Sequence, residues 1–228
     1  ILASAMLLYG FAFLYGACGT TVLPAMRAAV EGPEFLEGDF GLLLRISLVL
    51  ILGGLGFKIA AVPFHFYAPD VYEGTTHANA GLLSVLPKAA GMVVLVRLLV
   101  FTLPFEEPHS WQHVAWRIAL VLSVLTMTLG NVMALWQDNV RRLLAYSSIA
   151  HAGYMLIGLS VGLATPPGIP RRWNGVTALL FYLAVYALAT IGAFAVLSFL
   201  GRSRRQLDAV DELAGLGWTR PGPAALMA

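Results

Sequence analysis

The sequence predicts an all-α protein, a polytopic bundle of transmembrane helices, and three observations carry that reading. Of its 228 residues 59% are hydrophobic and only 11% are charged, against roughly 25% charged in a soluble domain. The mean hydropathy is +0.79. The charges gather in short stretches between long apolar runs, and a spanning helix needs about 20 mostly apolar residues. A formal net charge of +2 is too small to suggest nucleic-acid binding. Cys18 is the lone cysteine, so no internal disulfide is expected, and it reads as a small apolar side chain packed in a helix.

Six runs meet the length requirement: 1–26, 41–63, 77–103, 111–135, 141–163 and 174–200, with a seventh starting near 221. The first stays uncharged up to Arg27, the second carries Lys58 and ends on Pro63, and the third carries Pro87 and Lys88. The fourth holds Ser123, Thr126, Thr128 and Asn131, the fifth holds His151, and the sixth has no Asp, Glu, Lys or Arg. Charge sits in the connections Arg27–Asp39, Asp70–His77, Glu106–His109, Gln137–Arg142, Thr165–Arg172 and Gly201–Glu212. One transmembrane domain over 1–228 is expected, with no soluble domain and no evident repeat. Both ends lie in apolar runs and no charged n-region with a cleavage site precedes the first, so no signal peptide is read. The expectation is an internal portion of a longer polytopic protein.

Orientation follows loop Arg and Lys. Arg141, Arg142, Arg202, Arg204 and Arg205 lie on one side; Arg27, Arg171 and Arg172 lie on the other. Five against three leans toward the first side as cytoplasmic. Arg45, Arg97 and Arg117, near helix ends on the opposite side, pull against it.

Lys58 and Lys88 are the only lysines, each inside an apolar run: GGLGFKIAAVP and LLSVLPKAAGMVVLV. A charge at mid-bilayer costs about 2.5–3.5 kcal/mol on insertion scales, so it usually faces a bundle interior, a cavity or a partner. Burial disfavours an ammonium and a neighbouring carboxylate favours it, so a lysine between the two influences can be loaded and unloaded with a proton. Proton handling is therefore the first functional expectation.

Pro63 removes a backbone donor and crowds the carbonyl of Ile59, so a discontinuous helix is predicted near Lys58–Pro63. The following FHFYAPDVYEG reads as a short half-helix. Irregular backbone at membrane depth is tolerated only against protein or a water-filled cavity. Pro87 repeats the device before Lys88, freeing the carbonyl of Leu83. A plainer reading of Lys58 is snorkelling to the headgroups from a helix end. Lys88 lies about 11 residues into its helix, or roughly 16 Å, too deep for that escape.

His151 shares a helix face with Ser147 and Tyr154. Two readings stand side by side: a stripe that passes protons, since histidine titrates near neutrality, or a histidine satisfied by Ser147 and a backbone carbonyl. Ser123, Thr126, Thr128 and Asn131 read chiefly as packing. His65, His77, His109 and His113 lack metal-ligand spacing with acidic or cysteine partners. Arg141 and Arg142 read as positive-inside anchors, Asp70 and Glu73 as caps or ion-pair partners at the half-helix. Phe64, Phe66, Tyr67 and Tyr72 read as interface packing. Gly53, Gly54 and Gly56 read as close helix packing. No nucleotide, heme or iron–sulfur motif and no catalytic triad is present.

GFKIAAVPFHFYAPDVYEG (56–74), LSVLPKAAG (83–91) and NVRRLLAYSSIAHAGYMLIGL (139–159) together resemble the subunit N family of proton-pumping NADH-quinone oxidoreductase, respiratory complex I. YGFAFLYGACGTT (9–21) and LAGLGWTRPGPAALMA (213–228) are weaker flanking matches. The resemblance implies an antiporter-like membrane module without redox centres, built from two inverted five-helix repeats. It implies proton-relay roles for Lys58, at the broken helix, for Lys88, in the central relay, and for His151, on the polar axis between them and the rest of the subunit. The glutamate partner of the first lysine and a further lysine of the second repeat fall outside this chain. GTTHANA (74–80) departs from the family's usual GAPTPVT, which leaves the start of the Lys88 helix open.

The function so implied is proton translocation driven by quinone reduction elsewhere in the complex, with this chain a non-redox part of the translocase. No cofactor is implied on this chain; NADH, FMN, iron–sulfur clusters and quinone belong elsewhere in the complex. Partners would be the other membrane-arm subunits and the lipid bilayer, in a bacterial plasma (inner) membrane. The rivals are a cation/proton antiporter component and a structural membrane subunit whose lysines only pin packing.

Overall fold

The computed structural model describes residues 1–30, 39–100, 111–165, 174–201 and 208–227. Arg171, Arg172, Arg202, Arg204, Arg205 and His109, with the ends of several predicted connections and residues 101–103 of the third span, lie outside the described residues. The helices run α1 (Leu2–Cys18), α2 (Leu23–Val30), α3 (Asp39–Ile59), α4 (Ala68–Glu73), α5 (His77–Leu95), α6 (Trp111–Ala134), α7 (Val140–Ala164), α8 (Gly175–Leu200), α9 (Leu216–Thr219) and α10 (Pro221–Met227). A π-turn, Val96–Val100, prolongs α5. Among the described residues the only strand-like pairing is an isolated bridge between Asn139 and Ala209. The fold is an all-α transmembrane bundle: among the described residues five helices are long and apolar enough to cross a membrane, or up to six if the bent pair α1–α2 is one span.

Two predicted spans are shorter than expected. The run 1–26 is not one helix: α1 stops at Gly19, whose φ of 65° is left-handed, and α2 resumes at an angle of 63°. The apolar run continued across this bend, so hydropathy did not reveal it; Gly19 did carry the signal. The second span ends at Ile59, not at Pro63. Ala60 takes φ 56°, Ala60 N–H bonds the Phe57 carbonyl at 3.2 Å, and Ala61 N–H bonds the Gly56 carbonyl at 2.9 Å. This closure is the one glycine usually makes. It ends the helix early because Pro63 has no N–H for the Ile59 carbonyl and disfavours helical backbone in the residue before it. The Val62–Pro63 peptide is cis. The chain then turns through 60–67 into the half-helix α4, so the predicted discontinuity is present.

Helix starts follow their side-chain caps. Thr76 accepts from Asn79 N–H at 3.4 Å and sets the start of α5 at His77. Asn139 accepts from the N–H groups of Arg141 and Arg142 at 2.9 and 3.2 Å, and Asn174 from Val176 N–H at 3.0 Å. Each satisfies donors that a helix start leaves open. Pro87 sits inside α5, which runs on past it to Leu95.

α7 occupies the middle of the bundle, packed on α6, α8, α4 and α5. The α6–α7 contact depends on Gly153: a Cβ there would lie 2.6 Å from the Met127 backbone nitrogen. With lipid as apolar as any side chain, such close backbone approach is what holds spanning helices together. The outward faces are apolar, with Phe181, Leu188 and Phe199 exposed on α8, as expected of a surface that meets acyl chains.

Candidate functional site

Lys88 is 2% exposed. Its Nζ donates to the Ser148 carbonyl at 2.5 Å and to the Ser148 hydroxyl, and it lies 5.6 Å from the centroid of the Tyr186 ring, within cation–π range. Among the described residues no carboxylate lies within ion-pair distance of it. Three helices build this pocket. α5 supplies Lys88 and Ser84 from one face, α7 supplies Ser148, and α8 supplies Tyr186.

The hydrogen bonds have an order. An ammonium only donates, so Ser148 Oγ accepts from Lys88 and keeps its own proton for another partner. Tyr186 Oη lies 2.7 Å from Ser148 Oγ and donates to the Ser84 carbonyl at 3.3 Å. Tyr72 of α4 brings its hydroxyl to 3.5 Å from Ser148 Oγ. Ser84, Ser148 and Tyr186 are all buried.

His151 stands one turn beyond Ser148 on α7 and is half-buried. Its Nδ1 is 2.6 Å from Tyr182 Oη, and its ring lies 5.1 Å from the Tyr186 ring and 5.6 Å from the Tyr154 ring. Asn131 of α6 donates to Tyr154 Oη at 2.9 Å. The partner of His151 is therefore a tyrosine of α8, not Ser147. The adjacent Ser148 is the serine that reaches a lysine.

Lys58 lies in the last turn of α3 and is exposed on the surface of the chain. No ion pair engages it among the described residues. Its Cβ lies 3.8 Å from where a Cβ on Gly91 would stand, so its backbone packs on α5 one turn beyond Lys88. The structure thus brings Lys88 and His151 into one polar neighbourhood and sets Lys58 on the adjoining helix end, turned outward. The break after Lys58 is held by two long-range bonds. Val62 N–H donates to Thr126 Oγ1 at 3.1 Å, and Tyr67 Oη donates to the Phe57 carbonyl at 2.6 Å. Thr126, completely buried, therefore serves another segment's backbone and not its own.

A second polar cluster ties α4 to the start of α7. Arg142 pairs with Asp70 at 2.9 Å and Glu73 at 2.6 Å, and Arg141 pairs with Asp208 at 2.8 Å and donates to the Thr75 carbonyl. The two arginines are engaged by protein groups, beyond the anchoring role read from loop charge. Asp70 and Glu73 do pair at the half-helix. Tyr67 and Tyr72 exceed mere packing: each hydroxyl reaches a polar group. Among the described residues no three His, Cys, Asp or Glu side chains gather as a metal site.

Ser148, Tyr182, Tyr186 and Ser84 were not singled out in the sequence. Ser148 is three residues before His151, and Tyr182 and Tyr186 are four apart in YLAVY; a search for polar i, i+3 and i, i+4 pairs in the spans would have found them.

Residues 1–228 match the family described as "NADH:quinone oxidoreductase/Mrp antiporter, TM". NADH-quinone oxidoreductase subunit N of Trichlorobacter lovleyi is 42% identical over 219 residues, covering 96% of this chain and 42% of that protein. A chain of respiratory complex I from Thermus thermophilus is 36% identical with a TM-score of 0.68, over 96% of this chain and 42% of that one. A chain of the Mrp complex from Dietzia sp. superposes with a TM-score of 0.79 at 24% identity, over 99% of this chain and 38% of that one, a likeness of fold. The chain thus spans about two fifths of the length of these relatives. Its spans and bacterial relatives make it a multi-pass integral protein of the bacterial plasma (inner) membrane.

Proposed function

The chain belongs to the NADH:quinone oxidoreductase/Mrp antiporter transmembrane family, and from that premise we propose that it is part of a membrane subunit of NADH-quinone oxidoreductase that translocates protons. Quinone reduction elsewhere in the complex drives the movement. The observation that carries the proposal is Lys88, a buried amine held by hydroxyl and carbonyl oxygens with, among the described residues, no carboxylate against it. A permanently charged lysine there would lack compensation, whereas one that alternates between ammonium and amine suits a site that takes up and releases a proton.

In this reading Lys58, exposed at the end of a broken helix, is the movable charge. Its position at the negative end of the α3 dipole favours a cation, and an acidic partner arriving or leaving at this surface alters the field at Lys88. Each unit of change in proton affinity needs about 1.4 kcal/mol, within the range of one ion pair made or broken. His151, paired with Tyr182, continues the polar axis beyond Lys88. The chain itself carries out no redox step; NADH, FMN, iron–sulfur clusters and quinone would be held by other subunits, and the membrane-arm subunits would be its neighbours.

Lys88→Ala in the full-length subunit, assembled in its complex and reconstituted in liposomes, should abolish most proton pumping while the complex still assembles. Pumping at the wild-type rate would remove the relay role. Sodium- or potassium-dependent proton movement with no quinone reaction would move the assignment to a cation/proton antiporter.

A further inference from the structure

We propose that Tyr67 is a positioning residue for Lys58: its hydroxyl replaces a backbone hydrogen bond that the broken end of α3 gives up, and so fixes the direction in which the lysine leaves the helix. This rests on the reading of Lys58 as the movable charge.

In a continuous helix the carbonyls of Phe57, Lys58 and Ile59 accept from the N–H groups of residues 61, 62 and 63. At this break none of the three bonds forms. Ala61 N–H turns to the Gly56 carbonyl at 2.9 Å, Val62 N–H turns to Thr126 Oγ1 at 3.1 Å, and Pro63 has no N–H. The Phe57 carbonyl keeps one backbone donor, Ala60 N–H at 3.2 Å, and takes its short bond, 2.6 Å, from the Tyr67 hydroxyl. That carbonyl and the Lys58 nitrogen belong to one planar peptide unit. Holding the oxygen therefore sets the plane from which the Lys58 side chain departs, while the exposed amine can still swing.

Tyr67 is itself fixed from both sides. Its ring lies 6.3 Å from the Phe57 ring, which also meets Phe64 at 4.7 Å and, edge-on, Phe66 at 5.9 Å, all within the range of favourable aromatic pairs. Gly56 makes room for this clasp, since a Cβ there would lie 2.8 Å from the Phe64 ring. On its other side Tyr67 leads directly into α4, which Arg142 ties to α7 through Asp70 and Glu73. The stem of Lys58 is thus referenced to the middle of the bundle, so an acidic partner at this surface meets the amine in one place.

The test uses the full-length subunit in its assembled complex. Tyr67→Phe keeps the ring and removes only the donor. Hydrogen–deuterium exchange on a peptide spanning 57–67 should run about three- to tenfold faster, as expected for one lost hydrogen bond, while a peptide spanning 41–52 keeps the wild-type rate. Pumping in proteoliposomes, per assembled complex, should slow by a similar factor. Unchanged exchange at 57–67, or equal acceleration in both peptides, would overturn the proposal.

Acting through Lys58 has a second signature. In a Lys58→Ala background, Tyr67→Phe should cause no further loss of pumping, because nothing is left to position. A further loss of the same factor assigns Tyr67 to packing and overturns the proposal; where Lys58→Ala leaves no pumping, exchange at 57–67 decides. If Lys58→Ala alone pumps at the wild-type rate, the reading of Lys58 fails and the positioning with it. If it slows pumping while Tyr67→Phe does not, only the positioning fails. Should Tyr67→Phe not assemble, 3-fluorotyrosine at position 67 keeps ring and hydroxyl and is the stronger donor. Slower exchange at 57–67 then supports the proposal, and unchanged or faster exchange overturns it.

Discussion

Thr126→Val tests how the break beside Lys58 is held open. The substitution replaces a hydroxyl by a methyl of nearly the same size, so packing is kept. What is lost is the acceptor of the Val62 N–H, at 3.1 Å. Val62 is 7% exposed and Thr126 is completely buried, so water cannot take over, and the amide is left unsatisfied. Such a loss costs about 1–3 kcal/mol, and with 1.4 kcal/mol for each factor of ten the local opening equilibrium should rise about 5- to 150-fold. Hydrogen–deuterium exchange of the assembled complex, read by mass spectrometry on a peptide spanning 57–67, measures that opening directly. Thr126→Ser, which keeps the oxygen, should exchange near the wild-type rate. Equal exchange in all three proteins would refute the idea that Thr126 secures the broken segment. Because Lys58 lies four residues before Val62 in the same turn region, the valine variant should also pump more slowly than the serine one.

Three further outcomes follow from the packing. Gly153→Val places its first carbon 2.6 Å from the Met127 nitrogen; overpacking of this kind typically costs about 1–3 kcal/mol, so the yield of assembled complex on native gels should fall, with Gly153→Ala intermediate. Arg142→Gln removes the pairs to Asp70 and Glu73, whose side chains are 72% and 40% exposed. Exposed pairs are worth about 1 kcal/mol or less, so thermal stability should drop slightly at low salt and match wild type at high salt. Tyr182→Phe leaves His151 Nδ1 without its 2.6 Å partner while keeping the ring. Assembly should persist and liposome pumping should slow several-fold, and wild-type pumping would show that the pair serves packing alone.

The sequence by itself determined the features that depend on local chemistry. Runs of apolar residues set the spans, Pro63 and the half-helix after it announced a discontinuity, and distance along the third span placed Lys88 too deep to reach the headgroups. These follow from hydropathy, proline stereochemistry and helical rise, none of which needs a neighbour. Tertiary structure alone decided which side chains meet. Hydropathy carried the first run straight through the bend at Gly19. It could not say that Ser148, and not Ser147, would face Lys88, that Tyr182 would hold His151, or that Lys58 would point outward. In water an apolar stripe marks the inner face of a helix. In lipid both faces are apolar, so periodicity loses that meaning, and the meeting of α5, α7 and α8 is settled by close packing at residues such as Gly153 and by where each buried polar group finds a partner.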